Sequence, residues 1–196
     1  MLKRDVKKDS IADAAMSCFL ASGYSGTSVD NIVKASGVSK GGIYWHFKSK
    51  EEIFLYMIEK WLHEHKREIQ SRLSPDDSAT AKLNKFVDFA VEKAQSPVYA
   101  LVHEFLMGSR DKSIFNQIIN LVDNYSEENI ITVIINQGIE NGEFKPLDAR
   151  AASEIFRAVF DGIIIRWNHS QNKDISALRR IAKTAIHIYL EGLSNR

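Results

Sequence analysis

Residues 37–50 read Gly-Val-Ser-Lys-Gly-Gly-Ile-Tyr-Trp-His-Phe-Lys-Ser-Lys, and this stretch decides the fold of the chain. Gly37 can adopt the positive φ angle that ends a preceding helix. Gly41 and Gly42 each cost a helix about 1 kcal/mol relative to alanine. A short helix that bears this cost indicates a surface that must approach a partner closely. We therefore predict a turn followed by a short helix, with Val38 and Ile43 facing a core.

The residues before Gly37 predict two more helices. Apolar side chains at helical spacing mark the first, from about Asp9 to Ser22; they are Ile11, Ala14, Ala15, Cys18 and Phe19. Thr27 is the predicted N-cap of the second helix, with Asp30 as its third residue. Residues 1–8 are predicted to be a frayed basic arm. Two short helices joined by a glycine turn are typical of a helix-turn-helix, whose second helix reads the major groove of DNA.

Residues 39–51 resemble, at every fixed position, a signature of the TetR family of transcriptional regulators: Ser-Lys-Gly-x-Ile/Leu-Tyr-x-His-Phe-x-Ser-Lys-Glu. The resemblance extends upstream, to about the first 55 residues in all. The upstream residues that carry it are Ile11, Ala14, Ala15, Phe19, Gly23, Tyr24, Thr27, Ser28, Val29 and Ile32. It implies an all-α, nine-helix fold. Residues 1–48 would be the DNA-binding head, and residues 49–196 a body for effector binding and dimerisation.

The resemblance also implies which side chains contact DNA. Phosphate contacts would come from Thr27, Tyr44, His46 and Lys50, and phosphate contacts fix the register of a protein on DNA. The candidates nearer the base edges are Ser28, Ser39, Lys40, Gly41 and Trp45, with Gly42 as the second small residue at the tip. Lysine can donate to guanine O6 or N7. Tyr44 and His46 have a second interpretation, as caps on the surface of the head, while Ile43 and Phe47 are expected in its core.

Charge is distributed unevenly along the chain. Residues 1–50 hold eight Lys or Arg against four Asp or Glu, a net +4, and the remaining residues hold 18 against 21, a net −3. A basic head on a faintly acidic body is typical of a nucleic-acid contact confined to one end. One cysteine excludes an internal disulfide. No apolar run approaches 18 residues and no signal peptide is visible, so we expect a cytoplasmic protein without membrane segments.

Six helices are predicted beyond the head, and they complete the nine. They run from about residues 50 to 73, 78 to 95, 97 to 107, 112 to 141, 148 to 169 and 174 to 193. The helix over residues 148–169 carries apolar side chains on more than one face, so it faces either a deep core or a partner chain, and the last helix could pair with it. Together with the resemblance, this predicts a homodimer. The candidate interface residues are Ile155, Val159, Ile163, Trp167, Ile181, Ala185 and Tyr189.

Aromatic and histidine side chains in the body are the candidates for an effector site that the resemblance implies. They are Trp61, His65, Phe86, Phe89, Tyr99, His103, Met107, Phe115 and Tyr125. A mostly apolar cavity with few polar groups suits a small, largely apolar effector. The predicted function is a repressor that an effector releases from a palindromic operator.

Two other classes of function are weighed against this one. An architectural DNA-binding protein without an effector is the alternative. An enzyme is not expected, because the chain has no GxSxG, P-loop, GxGxxG, HExxH or CxxC motif. His63 and His65 are two positions apart and face different sides of a helix, and Glu59 with His63 is interpreted as a solvated pair rather than a shared site, so no metal is expected. No other cofactor is expected.

Overall fold

The computed structural model describes residues 3–108, 112–125 and 130–194, and the side chains in 6–106, 112–121 and 130–194. Ten helices lie within these residues: α1 Lys3–Gly26, α2 Val29–Ser36, α3 Lys40–His46, α4 Lys50–Arg72, α5 Ala79–Lys93, α6 Pro97–Gly108, α7 Lys112–Tyr125, α8 Ile130–Glu140, α9 Ala149–Asn168 and α10 Ile175–Leu193. Across the described ranges the extended backbone amounts to one bridge, between Phe144 and Ser194. The all-α prediction is confirmed.

The helix count is one higher than predicted. The single helix expected over residues 112–141 is α7 followed by α8, with residues 126–129 outside the described part. These four residues read Ser-Glu-Glu-Asn, a polar run between two apolar stripes.

The chain forms two compact units, and the first comprises Met1–His65 and Ser96–Asp123. Its apolar core joins the head helices to α6 and α7 through Phe19, Ile43, Phe54, Phe105 and Ile118. The rings of Phe54 and Phe105 lie 4.9 Å apart, and each contacts the ring of Tyr24. The head is therefore packed onto α6 as well as onto α4.

The second unit comprises Lys66–Gln95 and Asn124–Arg196. Within it, α5 packs against α8, α9 and α10. Gly138 permits a close contact, since a Cβ there would lie 2.2 Å from the ring of Phe144 and 2.9 Å from Ala79. The carboxylate of Glu143 accepts hydrogen bonds from the backbone N–H groups of Ala79 and Thr80, at 2.9 and 3.2 Å. It thereby satisfies donors at the start of α5 that lack helical partners.

Two details of the head differ from expectation. Residues 3–8 belong to α1, and Lys8 Nζ lies 4.1 Å from the centre of the Tyr56 ring, so this part of the predicted arm is helical. The N-cap of α2 is Ser28, one residue later than predicted, and its side chain accepts from the backbone of Asn31. Since Thr27 and Ser28 are both good caps, their order along the chain does not decide between them.

None of the helices in the described ranges has the length and apolar character needed to span a bilayer.

Candidate nucleic-acid interface

The turn between α2 and α3 has the geometry that a helix-turn-helix requires. Gly37 ends α2 with φ 66° and donates its N–H to Val33 O at 3.1 Å. Ser39 caps α3 by accepting from the N–H of Gly42, also at 3.1 Å. Ile32 and Ile43 are fully buried on the inner faces of the two helices. Local caps and two apolar anchors therefore fix how α3 is presented.

The outer face of α3 carries large side chains in contact with solvent. Tyr44 is exposed, and Trp45 is 64% exposed. The Trp45 and His46 rings meet edge to face at 4.7 Å. Aromatic groups that carry a hydroxyl, an indole N–H and an imidazole offer donors together with flat apolar area. Such a surface suits a polar, hydrated partner such as a nucleic-acid groove.

The two glycines of α3 have different reasons to be glycine. A Cβ on Gly41 would meet nothing within 4 Å, so its surroundings in the protein do not demand glycine. A Cβ on Gly42 would lie 2.8 Å from Val38 Cγ1 and 3.2 Å from Ser39 Oγ. The sequence interpretation treated both as points of close approach to a partner. For Gly42 the structure supplies an internal packing reason instead, and Gly41 remains the outward-facing one.

Lys40, at the first position of α3, forms an ion pair with Asp30 of α2. Lys40 Nζ and Asp30 Oδ1 are 2.9 Å apart, and both side chains are largely exposed. The hydrogen bond and the charge of Asp30 raise the pKa of Lys40 above its ordinary value. The tip of α3 therefore carries a cation that a neighbouring carboxylate already holds.

Thr27 does not fit the phosphate contact expected of it. The residue is only 3% exposed, and its hydroxyl donates to Gly23 O at 2.8 Å or Cys18 O at 3.0 Å. Its backbone N–H points to Tyr24 O. Its side chain joins the end of α1 to the start of α2, a contact that the spacing of the sequence did not reveal.

Lys50 also has an internal role that the sequence did not predict. Its ammonium donates to Tyr24 O at 2.9 Å and to Thr27 O at 3.0 Å, and it lies 4.2 Å from the centre of the Tyr24 ring. A cation near the last carbonyls of a helix is favourable. Next to it, Glu51 accepts from Tyr24 OH at 2.7 Å. Burial raises the pKa of Glu51, but hydrogen bonds from Tyr24, its own N–H and Ser49 outweigh it, and the pKa is lowered.

The candidate effector residues fall in both units. In the first unit Trp61, His65, Tyr99, His103 and Phe115 are half-buried, and the Trp61 and His65 rings are 4.1 Å apart. In the second unit, Phe86 packs edge-on against Phe156 at 5.8 Å, and Phe89 lies beneath the cations of Arg72 and Lys93. The side chains of Met107 and Tyr125 lie outside the described residues. Phe86 and Phe89 therefore have packing roles within the second unit.

The candidate dimer residues divide into an exposed set and a packed set. Ile155, Val159 and Ile181 are exposed. Ile163, Trp167, Ala185 and Tyr189 are half-buried. Tyr189 OH donates to Ala152 O at 2.7 Å, its ring contacts Phe156 at 5.3 Å, and burial raises its pKa to about 12. Ile188 is 64% exposed and was not among the sequence candidates, because it lies off the apolar stripe that fills the unit's own core.

The fold and the solvent-facing tip of α3 define a helix-turn-helix DNA-binding protein whose other described residues lie mostly in helices. The sequence model for "Bacterial regulatory proteins, tetR family" matches residues 11–57, and the model for "QacR-like protein, C-terminal region" matches residues 57–195. The chain belongs to the TetR family of bacterial regulatory proteins, and it is a DNA-binding transcriptional regulator.

Similar proteins span the whole chain. The HTH-type transcriptional regulator QacR of Staphylococcus aureus is 29% identical over 95% of this chain and 98% of that protein. The fatty acid metabolism regulator protein of Bacillus subtilis is 24% identical over the full length of both. Among solved structures, the fatty acid degradation regulator FadR of Bacillus halodurans has a TM-score of 0.77 and 25% identity, covering 97% of each chain. A TetR regulator of Haloarcula marismortui reaches a TM-score of 0.82 at 20% identity, covering 97% of this chain and all of that one.

Proposed function

We propose that the protein is a repressor that binds a palindromic operator as a homodimer and leaves it when a small, largely apolar effector binds. The observation that carries the proposal is the tip of α3. It presents exposed Tyr44 and Trp45 around Gly41, a glycine that the protein's own packing does not require. A glycine backbone with open space above it permits close approach to a base pair.

Each side chain at the tip has a distinct role in the proposed complex. Tyr44 and His46 donate to phosphate oxygens and fix the register. Ser39, Lys40 and Trp45 face the base edges, together with Gly41, and Ser28 lies at the edge of the same surface. Gly42 supports the tip from within. Lys50 and Thr27 act indirectly, because their donors hold the junction between α1 and α2.

A dimer supplies the second reading head. The exposed aliphatic side chains Ile155, Val159, Ile181 and Ile188, which we call the α9–α10 face, lie on two neighbouring helices of one unit. Contact between two copies of this face buries both sets of side chains in one isologous interface. The two heads then occupy successive major grooves about 34–36 Å apart.

The body, residues 49–196, is the proposed effector-binding and dimerisation domain, and residues 1–48 the DNA-binding domain. An effector that binds more tightly to the DNA-free arrangement shifts the population away from the operator. A relative in Bacillus subtilis, a transcriptional regulator FadR, has been solved in complex with stearoyl-CoA. Its acyl chain is apolar although its CoA group is charged, so that compound is the first, amphipathic probe for this chain.

The first experiment tests the DNA contact. Tyr44→Phe removes one hydroxyl from α3, and we expect about tenfold weaker binding to every duplex, the cost of one hydrogen bond to a charged group. Tyr56→Phe is the matched control, because its hydroxyl bonds to Asp9 Oδ1 at 2.9 Å inside the same unit. Equal effects of the two changes would remove Tyr44 from the interface.

The second experiment tests the effector. Stearoyl-CoA and a series of other apolar and amphipathic compounds are added to the protein bound to its operator, and fluorescence anisotropy reports release. We expect at least one compound to lower operator affinity in proportion to its own saturation. If none of them does so, an architectural DNA-binding protein is the better description.

A further inference from the structure

We infer that Asp30 sets the sequence specificity of DNA binding by holding the Lys40 ammonium in a base-directed position and away from phosphates. The inference rests on the proposed function and adds a residue that contributes through another side chain. Asp30 is a positioning residue: it acts on Lys40, and Lys40 acts on the base.

The geometry places a negative charge on the surface where a polyanion binds. Asp30 lies in the first turn of α2 and Lys40 in the first turn of α3, with 2.9 Å between Oδ1 and Nζ. The side chain of Asp30 is 65% exposed. Because it contacts Lys40 Nζ, its carboxylate lies beside the start of α3, and Tyr44 is one turn further along that helix. An unscreened carboxylate in that position opposes DNA binding of any sequence.

Folding stability does not account for the pair. Ion pairs between exposed side chains contribute little to the free energy of unfolding. Asp30 also lies in the first turn of α2, where a negative charge favours the helix, so folding explains the presence of this carboxylate but not its pairing with Lys40. Its effect is expected in the choice between DNA sequences, which is a difference between two affinities.

The donor count of an ammonium explains how the choice arises. Lysine has three N–H donors, so Lys40 can keep one on Asp30 and direct the others to guanine O6 and N7. A sequence without that guanine does not offer the adjacent O6 and N7 acceptors, so a phosphate becomes the strongest partner for Lys40. Reaching a phosphate means leaving Asp30, or carrying the carboxylate towards the DNA backbone. Asp30 therefore penalises the non-specific complex more than the specific one.

The chain offers a matched control. Asp13 pairs with Lys60 at 2.6 Å, and the side chain of Asp13 is 61% exposed. It lies in the same unit, on α1. Asp13→Asn and Asp30→Asn change the net charge equally and each breaks one surface ion pair. Only the second pair involves α3.

The experiment uses the full chain and two duplexes of equal length. One is selected by the unmodified protein from a random-sequence pool, and the other is a scrambled version of it. For Asp30→Asn we expect the ratio of the two dissociation constants to fall by about tenfold, within the discrimination that one base contact provides. For the scrambled duplex, a plot of log affinity against log salt concentration should become steeper by about 0.9, because the freed Lys40 neutralises one more phosphate. Asp30→Glu should restore both values towards those of the unmodified protein.

Two further arms complete the test. Asp13→Asn should leave the ratio within about twofold of the unmodified value, the scatter expected for a surface change away from the contact. In a Lys40→Gln background, Asp30→Asn should no longer alter the ratio. Equal tightening on both duplexes, or equal effects of the two Asp→Asn changes, would overturn the inference and leave the proposed function standing. Failure of the unmodified protein to select any duplex would overturn the proposed function, and this inference with it.

Discussion

The tip of α3 and the α9–α10 face both expose large side chains, but the chemistry of the two surfaces differs. At the tip, the exposed groups are aromatic and carry polar atoms, beside a lysine and two helix caps. On the α9–α10 face they are the aliphatic groups of Ile155, Val159, Ile181 and Ile188. An aliphatic side chain gains only by leaving water, whereas the tip can exchange hydrogen bonds. The first surface therefore suits a hydrated, charged partner and the second a dry protein partner.

A charge placed on the α9–α10 face should produce the largest effect. Ile188→Glu and Ile181→Glu together bury four unpaired carboxylates in a two-fold interface. We expect the dimer dissociation constant to rise at least about 100-fold, the scale of a hot-spot loss. Sedimentation equilibrium measures it directly. Leu20→Glu, on an exposed aliphatic position of α1, is the control and should leave the oligomeric state unchanged.

Loss of the dimer should also lower the affinity for the palindromic operator. The monomeric variant keeps α3 intact, so its binding to one half-site persists while its affinity for the full palindrome drops to the half-site value. If the doubly substituted protein still binds the palindrome with full affinity, the α9–α10 face is not required for DNA recognition.

The two glycines of α3 provide the next largest effect, and they should respond in opposite ways. Gly41→Ala adds a Cβ into open space, so the helix should gain up to about 1 kcal/mol of stability. The same methyl group stands where the DNA must approach, and we expect operator affinity to fall by about tenfold, one badly fitted base contact. Thermal melting and anisotropy titration measure the two effects on one sample.

Gly42→Ala should lower the melting temperature instead. Its Cβ would lie 2.8 Å from Val38 Cγ1 in the turn, and overpacking typically costs about 1–3 kcal/mol, which outweighs the gain of up to about 1 kcal/mol in helix propensity. If Gly41→Ala binds the operator as well as the unmodified protein does, close approach at this position is not part of recognition.

A substitution at Lys50 tests whether the tip of α3 depends on the junction between α1 and α2. Lys50→Met removes donors from the carbonyls of Tyr24 and Thr27 while retaining an apolar stem over the Tyr24 ring. We expect a loss of about 1.5 kcal/mol in the free energy of unfolding, the lower end for hydrogen bonds to a charged group. Denaturant titration measures this loss. If the variant instead loses DNA affinity while its stability is unchanged, Lys50 contacts a phosphate directly.

Much of the head was predictable because its signals are local. The caps, the glycine turn and the apolar stripes act within a few residues, and they predicted the bounds of α2 and α3 to within a residue. The bounds of α1 differ more: it begins at Lys3 and ends at Gly26, although Gly23, the predicted terminator, does leave helical geometry. The partners of Lys50 were not predictable, since they lie 23 and 26 residues away. The reason for Gly42 depends on the rotamer of Val38, and a sequence pattern does not reveal it.

The sequence predicted most of the helices of the body, but it did not predict which of their side chains are exposed. Amphipathic spacing marks which residues leave water, yet it does not say whether they enter the protein's own core or meet a partner. Tyr189 and Ile188 are neighbours in sequence, but Tyr189 is bonded to Ala152 and Ile188 faces solvent. Only the packing of α10 against α9 separates them.

The smallest expected effect concerns pH and the support of the head. The lowered pKa of Glu51 means that the folded state favours its charged form, so this stability is present above the unfolded pKa, near 4.5, and is lost as pH falls through the lower folded value. Tyr24→Phe removes the hydrogen bond from Tyr24 OH. We expect it to reduce the acid dependence of unfolding by at most about 1 kcal/mol between pH 6 and pH 3, because Glu51 is partly exposed. An unchanged acid dependence would show that this bond does not set the pKa.

Guanine N7 protection on a selected palindromic duplex tests the central claim, that a pair of α3 tips reads two successive major grooves. Dimethyl sulfate modification should fall in two patches, one turn of DNA apart, when two protomers are bound. The account predicts that Lys40→Gln restores modification symmetrically in both patches. A single patch, or two patches that Lys40→Gln leaves protected, would contradict it.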